Sequence, residues 1–175
     1  MKHRQDPEPE TSDSPMDRIG IRDRAKEFIG TVQVGTNCNI GLVPSDQVPY
    51  IWEKVEEHLL RMAPHSEGEL EPDDFFESLT DGDMQLWVAI ENKDIVASMV
   101  TQIVPYPRKR ILRIIAIGGD EMDKWIHQLP MVEDWALTMG CTALECWGRK
   151  GWLKVLKDWK CSYHIITKDL TTRMH

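Results

Sequence analysis

Ile111-Leu112-Arg113-Ile114-Ile115-Ala116-Ile117-Gly118-Gly119-Asp120-Glu121-Met122-Asp123 reads as a strand, a tight loop and the start of a helix. The run from Ile111 to Ile117 is the most buried-looking strand of the chain, because six of its seven side chains are apolar. The glycine pair permits a sharp turn. Asp120, Glu121 and Asp123 then place negative charge in the first helical turn, where acids complement the helix dipole.

Upstream, Gln85 to Glu91 reads as a strand with Leu86, Val88 and Ile90 on one face. Asn92-Lys93-Asp94 is a hairpin turn, and Ile95 to Val104 is a long apolar strand ended by Pro105-Tyr106-Pro107. Further back, Asn39 to Pro44 is a short strand. Ser45 or Asp46 can cap the helix after it, and Pro49 suits that helix's first turn. Val48, Ile51, Trp52, Val55, Leu59, Leu60 and Met62 recur there at helical spacing. Pro72 to Leu79 is a second short helix with Phe75, Phe76 and Leu79 inward.

Downstream, Met122, Trp125, Ile126, Leu129, Val132, Trp135, Ala136 and Met139 follow a helical period. Pro130 interrupts it, which predicts a kink or two abutting helices. Gly140 is a good stop. Thr142 to Trp147 is a strand, and Gly148 to Trp159 is a short helix burying Trp152, Val155, Leu156 and Trp159. Ser162 to Thr167 is the last strand. Residues 1–38 form a polar N-terminal tail with a possible short helix within Ile19 to Phe28, and residues 39–175 form the domain.

At 175 residues the chain can bury a real core. Seven Trp against three Phe and three Tyr is a lopsided aromatic set, which leaves core packing and interface contact both open. No apolar run approaches the roughly 20 residues that span a bilayer, and the N-terminus lacks the apolar region of a signal peptide. The expected location is cytoplasmic. Cys38, Cys141, Cys146 and Cys161 show no metal-ligand spacing and suit a reducing compartment, so no metal site is expected. The net charge of -8 is segregated. Acids crowd Glu53 to Asp83, and bases gather at Arg108 to Arg113 and Arg149 to Lys160. Such poles can steer an anionic ligand or organise head-to-tail packing, or they are simply solvated faces. Nucleic acid is an unlikely partner, since the chain is net acidic and carries no recognition motif.

The segment Val132-Glu133-Asp134-Trp135-Ala136-Leu137-Thr138-Met139-Gly140-Cys141, followed by Ala143-Leu144-Glu145-Cys146, resembles a helix and fifth strand of the GNAT superfamily of N-acetyltransferases. Ile40-Gly41-Leu42-Val43-Pro44 and the helix after it look like that family's opening, and Arg149 to Cys161 looks like its last helix. The resemblance spans roughly Ile40 to Leu170. It implies an α/β (α+β) fold with a mixed, mostly antiparallel central sheet and helices on both faces.

The resemblance also implies a site. In GNAT enzymes the fourth strand enters a loop of the type Q/R-x-x-G-x-G/A, whose amides hold the acetyl-CoA diphosphate. Here Ile117, Gly118 and Gly119 occupy that place, with Arg149 and Lys150 as further candidate cofactor-binding residues. The first-turn acids oppose a diphosphate by on the order of a kcal/mol each. The family's general-acid Tyr falls on Leu156, and its Asn on Arg149. Glu145, on the fifth strand, is the candidate catalytic base; an apolar setting there would give it the proton affinity such a base needs.

Two functions follow as expectations. One is a GNAT-fold protein with a degenerate acetyl-CoA site, serving as a structural or assembly protein. Its partners would then be other protein subunits, and the Trp- and Gly-punctuated tail resembles chains of tailed bacteriophages, which implies a virion-associated location as the alternative to a cytoplasmic one. The other is an acetyl-CoA-dependent N-acetyltransferase with an atypical site. Acetyl-CoA is the expected cofactor only in the second.

Overall fold

Five strands in the order β1-β2-β3-β4-β5 make one sheet in the computed structural model, which describes residues 38–62, 70–148, 150–162, 166 and 168. β1 (Asn39–Val43), β2 (Gln85–Glu91), β3 (Asp94–Tyr106) and β4 (Lys109–Gly119) run antiparallel in turn, and β5 (Ala143–Cys146) lies parallel to β4. The expected tail, Cys38 apart, lies outside the described residues, as does most of the expected last strand. No helix among the described residues is long and apolar enough to cross a membrane.

Leu86, Trp87, Val88, Ala89 and Ile90 are all buried. A continuous apolar run of this kind belongs to a strand covered on both faces. On one side α1 (Val48–Met62) and α2 (Pro72–Thr80) pack through Val48, Ile51, Val55, Leu59, Phe75 and Leu79. On the other, Trp125, Leu129, Val132 and Ala136 pack against Trp87, Ala89, Met99 and Leu112. The mixed sheet with helices on both faces is the architecture expected from the sequence.

Asn92 and Lys93 both have positive φ, as a two-residue primed hairpin turn requires. β3 outlasts its expected end at Pro105, pairing through Pro105 and Tyr106 to Arg110 and Lys109. The reason is geometric. β2 begins opposite Thr101, so beyond it β3 is an edge on that side, where a proline's missing N–H is tolerated.

The long helix after β4 is two helices. α3 (Met122–Trp125) is a single turn, a 3-10 turn covers Ile126–Gln128, and α4 (Leu129–Thr138) begins with Pro130 in its first turn. Gln128, at the break, bonds the edge of β1: its Oε1 accepts the Ile40 N–H at 2.9 Å and its Nε2 donates to the Cys38 carbonyl. Gly140, at φ +76°, ends α4's exit in the left-handed conformation expected of it.

The predicted helix Gly148 to Trp159 shortens to a 3-10 turn, Lys150–Lys154. The Trp152 indole folds over Gly148, where a Cβ would come within 2.7 Å of it. The Trp152 carbonyl accepts the N–H groups of Val155 and Leu156, closing the chain into turns. Trp152 and Trp159 pack on the core while half-exposed, and Leu156 is buried in it. Six of the seven Trp are thus buried or half-buried; Trp147, 57% exposed, is the exception.

Candidate functional site

β4 outruns its parallel neighbour. Residues Ile111 to Ile114 pair with Ala143 to Cys146, and there the β4–β5 ladder stops. β4 continues to Gly119, bonded on its other side to β3. Between the end of β4, the following helical turn and the segment Gly151 to Val155 lies a cleft of about 520 Å³, lined by Ile117, Gly118, Gly119, Met122, Trp125, Gly151, Trp152 and Val155. That volume is in the range of small-molecule sites. The free side of a strand end also offers amides and carbonyls to an extended ligand.

The glycine pair at the head of this cleft is there for packing. A Cβ on Gly118 would lie 2.2 Å from the His58 carbonyl oxygen, so the C-terminal part of α1 sits directly on it. Gly119 adopts φ +127°, and a Cβ there would lie 2.4 Å from the Ala97 Cα. The next amide, Asp120 N–H, is donated to the Val96 carbonyl at 2.8 Å. The loop therefore spends its close approaches and this amide on β3 and α1.

Its acids are partly paired. Asp120 accepts from Arg61 at 2.9 Å, and Glu121 pairs with Lys124, which also reaches Glu91 at 3.1 Å. Lys124 holds the Glu121 carboxyl below its ordinary pKa, so it stays anionic. Asp120, Glu121, Asp123 and Glu91 still outnumber Arg61 and Lys124. With α3 only one turn long, little dipole opposes that negative charge. The diphosphate of acetyl-CoA does not fit this loop.

Glu145 lies in a polar setting, not the apolar one on which its reading as a base depends. Its carboxylate accepts from Arg113 Nε at 2.7 Å and from Trp147 Nε1 at 2.8 Å. Arg113 also donates to the Tyr106 hydroxyl at 3.0 Å and lies 4.1 Å from the centre of the Trp147 ring. Alternation along β5 puts Glu145 on the opposite face from Leu144, which packs against the core cluster that contains Trp125. The structure therefore does not bring Glu145 together with the Ile117-Gly118-Gly119 loop on one face.

Lys150 is exposed at the start of the 3-10 turn, next to the cleft residue Gly151. Arg149 lies outside the described residues. Leu156 is a core side chain. Among the described residues no group of three or more metal-ligating side chains comes together, and Cys38, Cys141 and Cys146 form no disulfide.

His58 and Ser98 form a buried pair that sequence reading missed. His58 is 1% exposed and its Nδ1 lies 2.8 Å from Ser98 Oγ. Its place in the spacing Ile51, Val55, His58, Met62 was the available signal. Burial lowers its pKa, helped by Lys54 and Arg61 and opposed by Glu57 and Asp120. A histidine with a depressed folded pKa takes up a proton more readily when unfolded. Stability is therefore complete above about pH 6.5 and falls as pH drops below it, with a slope of at most about 1.4 kcal/mol per pH unit for one proton. Urea unfolding at pH 7.5 and 5.5 should show this loss, and His58→Gln should reduce it. An equal loss in the variant would contradict it.

Solved structures of similar shape are acetyltransferases. The ribosomal-protein-alanine N-acetyltransferase of Brucella melitensis superposes with a TM-score of 0.56 at 11% identity, over 76% of this chain and 99% of that one. A predicted acetyltransferase of Clostridium acetobutylicum, solved with acetyl-CoA, gives 0.57 at 13% identity, over 79% and 99%. A GNAT family acetyltransferase of Staphylococcus aureus gives 0.53 at 14% identity, over 77% and 99%. The chain has the GNAT fold. No family model matches it, and no curated protein matches it in sequence. Identities this low speak for the GNAT fold and not for an activity.

Proposed function

We propose that this chain is a GNAT-fold protein with a degenerate acetyl-CoA site that works through contacts with other proteins. The observation that carries the reading is the Asp120 N–H, bonded to Val96 at 2.8 Å. An anion at this loop would have to compete with a sheet hydrogen bond and with the surrounding acids. The buried Leu156, where a general-acid Tyr would stand, supports the same reading. The partners are then other protein subunits, and the likeness to tailed-phage chains points to a virion or its assembly.

Calorimetric titration with acetyl-CoA tests this. The expected result is no binding tighter than millimolar. Micromolar binding that weakens in Arg149→Glu overturns it.

A second reading, an acetyl-CoA-dependent N-acetyltransferase with an atypical site, is favoured by the open cleft. It would use Glu145 as base and Ile117, Gly118, Gly119, Arg149 and Lys150 for the cofactor. Micromolar acetyl-CoA binding, the same outcome that overturns the first reading, is what it requires.

A further inference from the structure

The β3–β4 ribbon stands out from one end of the sheet. β2 begins opposite Thr101 and β5 begins opposite Ile111, so the end of the ribbon, Pro105 to Arg110, passes both neighbouring strands. Every residue of that end is exposed. Arg110 braces it: its guanidinium donates to the Met139 carbonyl at 3.0 Å, and its own carbonyl accepts the Thr142 N–H at 2.8 Å. That leaves Tyr106, Arg108 and Lys109 at the tip, with the Lys109 ammonium 5.4 Å from the centre of the Tyr106 ring. No acid lies within the tip, and none of its cations is in an ion pair with another described residue.

The complementary make-up lies between α1 and α2. Trp52 and Phe76, both half-buried, meet edge-on at 4.9 Å and form a seam between the two helices. Helical spacing sets Glu56 on the Trp52 side of α1 and Asp73 on the Phe76 side of α2, with Glu53 and Glu77 next to the two rings in sequence. None of these four acids is in an ion pair with a described cation. Lys54, the cation nearest to them in sequence, is taken by Glu57 at 2.7 Å.

Resting on the reading above, in which the chain works through protein contacts, we infer that the ribbon tip docks on the α1–α2 seam of a second copy of this chain. Charge complementarity carries the choice of partner. The tip presents cations around an aromatic ring, the seam presents carboxylates around an aromatic pair, and every copy carries both. Arg and Tyr at the tip and Trp and Phe at the seam are residue types that interface cores enrich. A single exposed ion pair contributes little, so the contact takes several at once together with burial of Tyr106. Tip and seam are different surfaces, which makes the contact head-to-tail. Each copy uses its tip on one neighbour and its seam on the next, and copies add into a ring or a filament, not a symmetric pair.

Sedimentation of the full chain at low salt tests this, with two charge-reversed variants. The parent's average mass should rise with concentration past that of a dimer, and added salt should return it to monomer. Arg108→Glu/Lys109→Glu puts acids on the tip, and Glu53→Lys/Glu77→Lys puts cations on the seam. Each variant alone sets like charges against each other and should associate about tenfold more weakly than the parent, or less. Mixed, the acidic tip of the first meets the basic seam of the second, and association should return. All four substituted side chains are exposed, so unfolding midpoints should match the parent's. Recovery in the mixture also shows that both variants are folded. A parent that stays monomeric, a variant that associates as the parent does, or a mixture that stays monomeric each overturns the inference. None of these outcomes touches the degenerate-site reading, which the acetyl-CoA titration tests by itself.

Discussion

Gly118→Val is expected to destabilise the protein by about 3 kcal/mol or more, the upper end for overpacking a closed site. The methyl-bearing Cβ would sit 2.2 Å from the His58 carbonyl oxygen and 2.8 Å from its carbonyl carbon. Those are backbone atoms in the last turns of α1, so they cannot swing away as a side chain would. Relief requires α1 to lift from β4, which would also disturb the buried His58–Ser98 contact. Urea unfolding should show a lower midpoint with an unchanged slope. Gly151→Ala is the control, since nothing lies within 4 Å of its Cβ. It should stay within about 0.5 kcal/mol of the parent, as open-site substitutions do. A loss below about 1 kcal/mol for Gly118→Val would mean that α1 does not press on the loop.

Trp87→Ala should cost about 3–5 kcal/mol, the range for deleting a large aromatic from a core. Trp87 is 2% exposed at the middle of β2. Its ring meets Trp135 edge-on at 5.3 Å, and its Nε1 donates to Thr101 Oγ1 at 3.1 Å. The substitution removes the packing of the sheet on α4 and the donor to a fully buried hydroxyl together. Trp147→Ala, at an exposed ring, should cost no more than about 1 kcal/mol, chiefly its contact with Arg113. Thermal or urea unfolding of the pair checks the contrast. Similar losses would mean that Trp147 is covered in solution by something the isolated chain does not show.

The fold was legible because its signals are local. Period-two and continuous apolar runs mark β2, β3 and β4. The stripe Val48, Ile51, Val55, Leu59 marks α1, and Asn92-Lys93 marks a hairpin. The end of β3 was misjudged for a non-local cause: β3 passes Pro105 because β2 begins opposite Thr101. The two abutting helices expected from Pro130 are there, with Pro130 in the first turn of the second and Gln128 at the break bonding the edge of β1.

The candidate site was less legible. Glu145 reads as an isolated carboxylate in an apolar strand. Its partner Arg113 lies on the neighbouring parallel strand, and only the register Arg113 opposite Glu145 pairs them. Asp120 and Glu121 read as bare anions, while Arg61 arrives from the end of α1 to meet the first.

By itself, the sequence determined the order of β1 to β5 and the helices between them and the presence of a glycine turn followed by acids, because burial and period are written residue by residue; helices on both faces came from the family resemblance. Only the tertiary structure decided what the glycine turn is for. Gly118-Gly119-Asp120 has the same local chemistry whether its amides face an anion or a strand. The His58 carbonyl lies over Gly118, and the Val96 carbonyl accepts the Asp120 amide. Both come from segments distant along the chain, and a short loop carries no record of what folds against it.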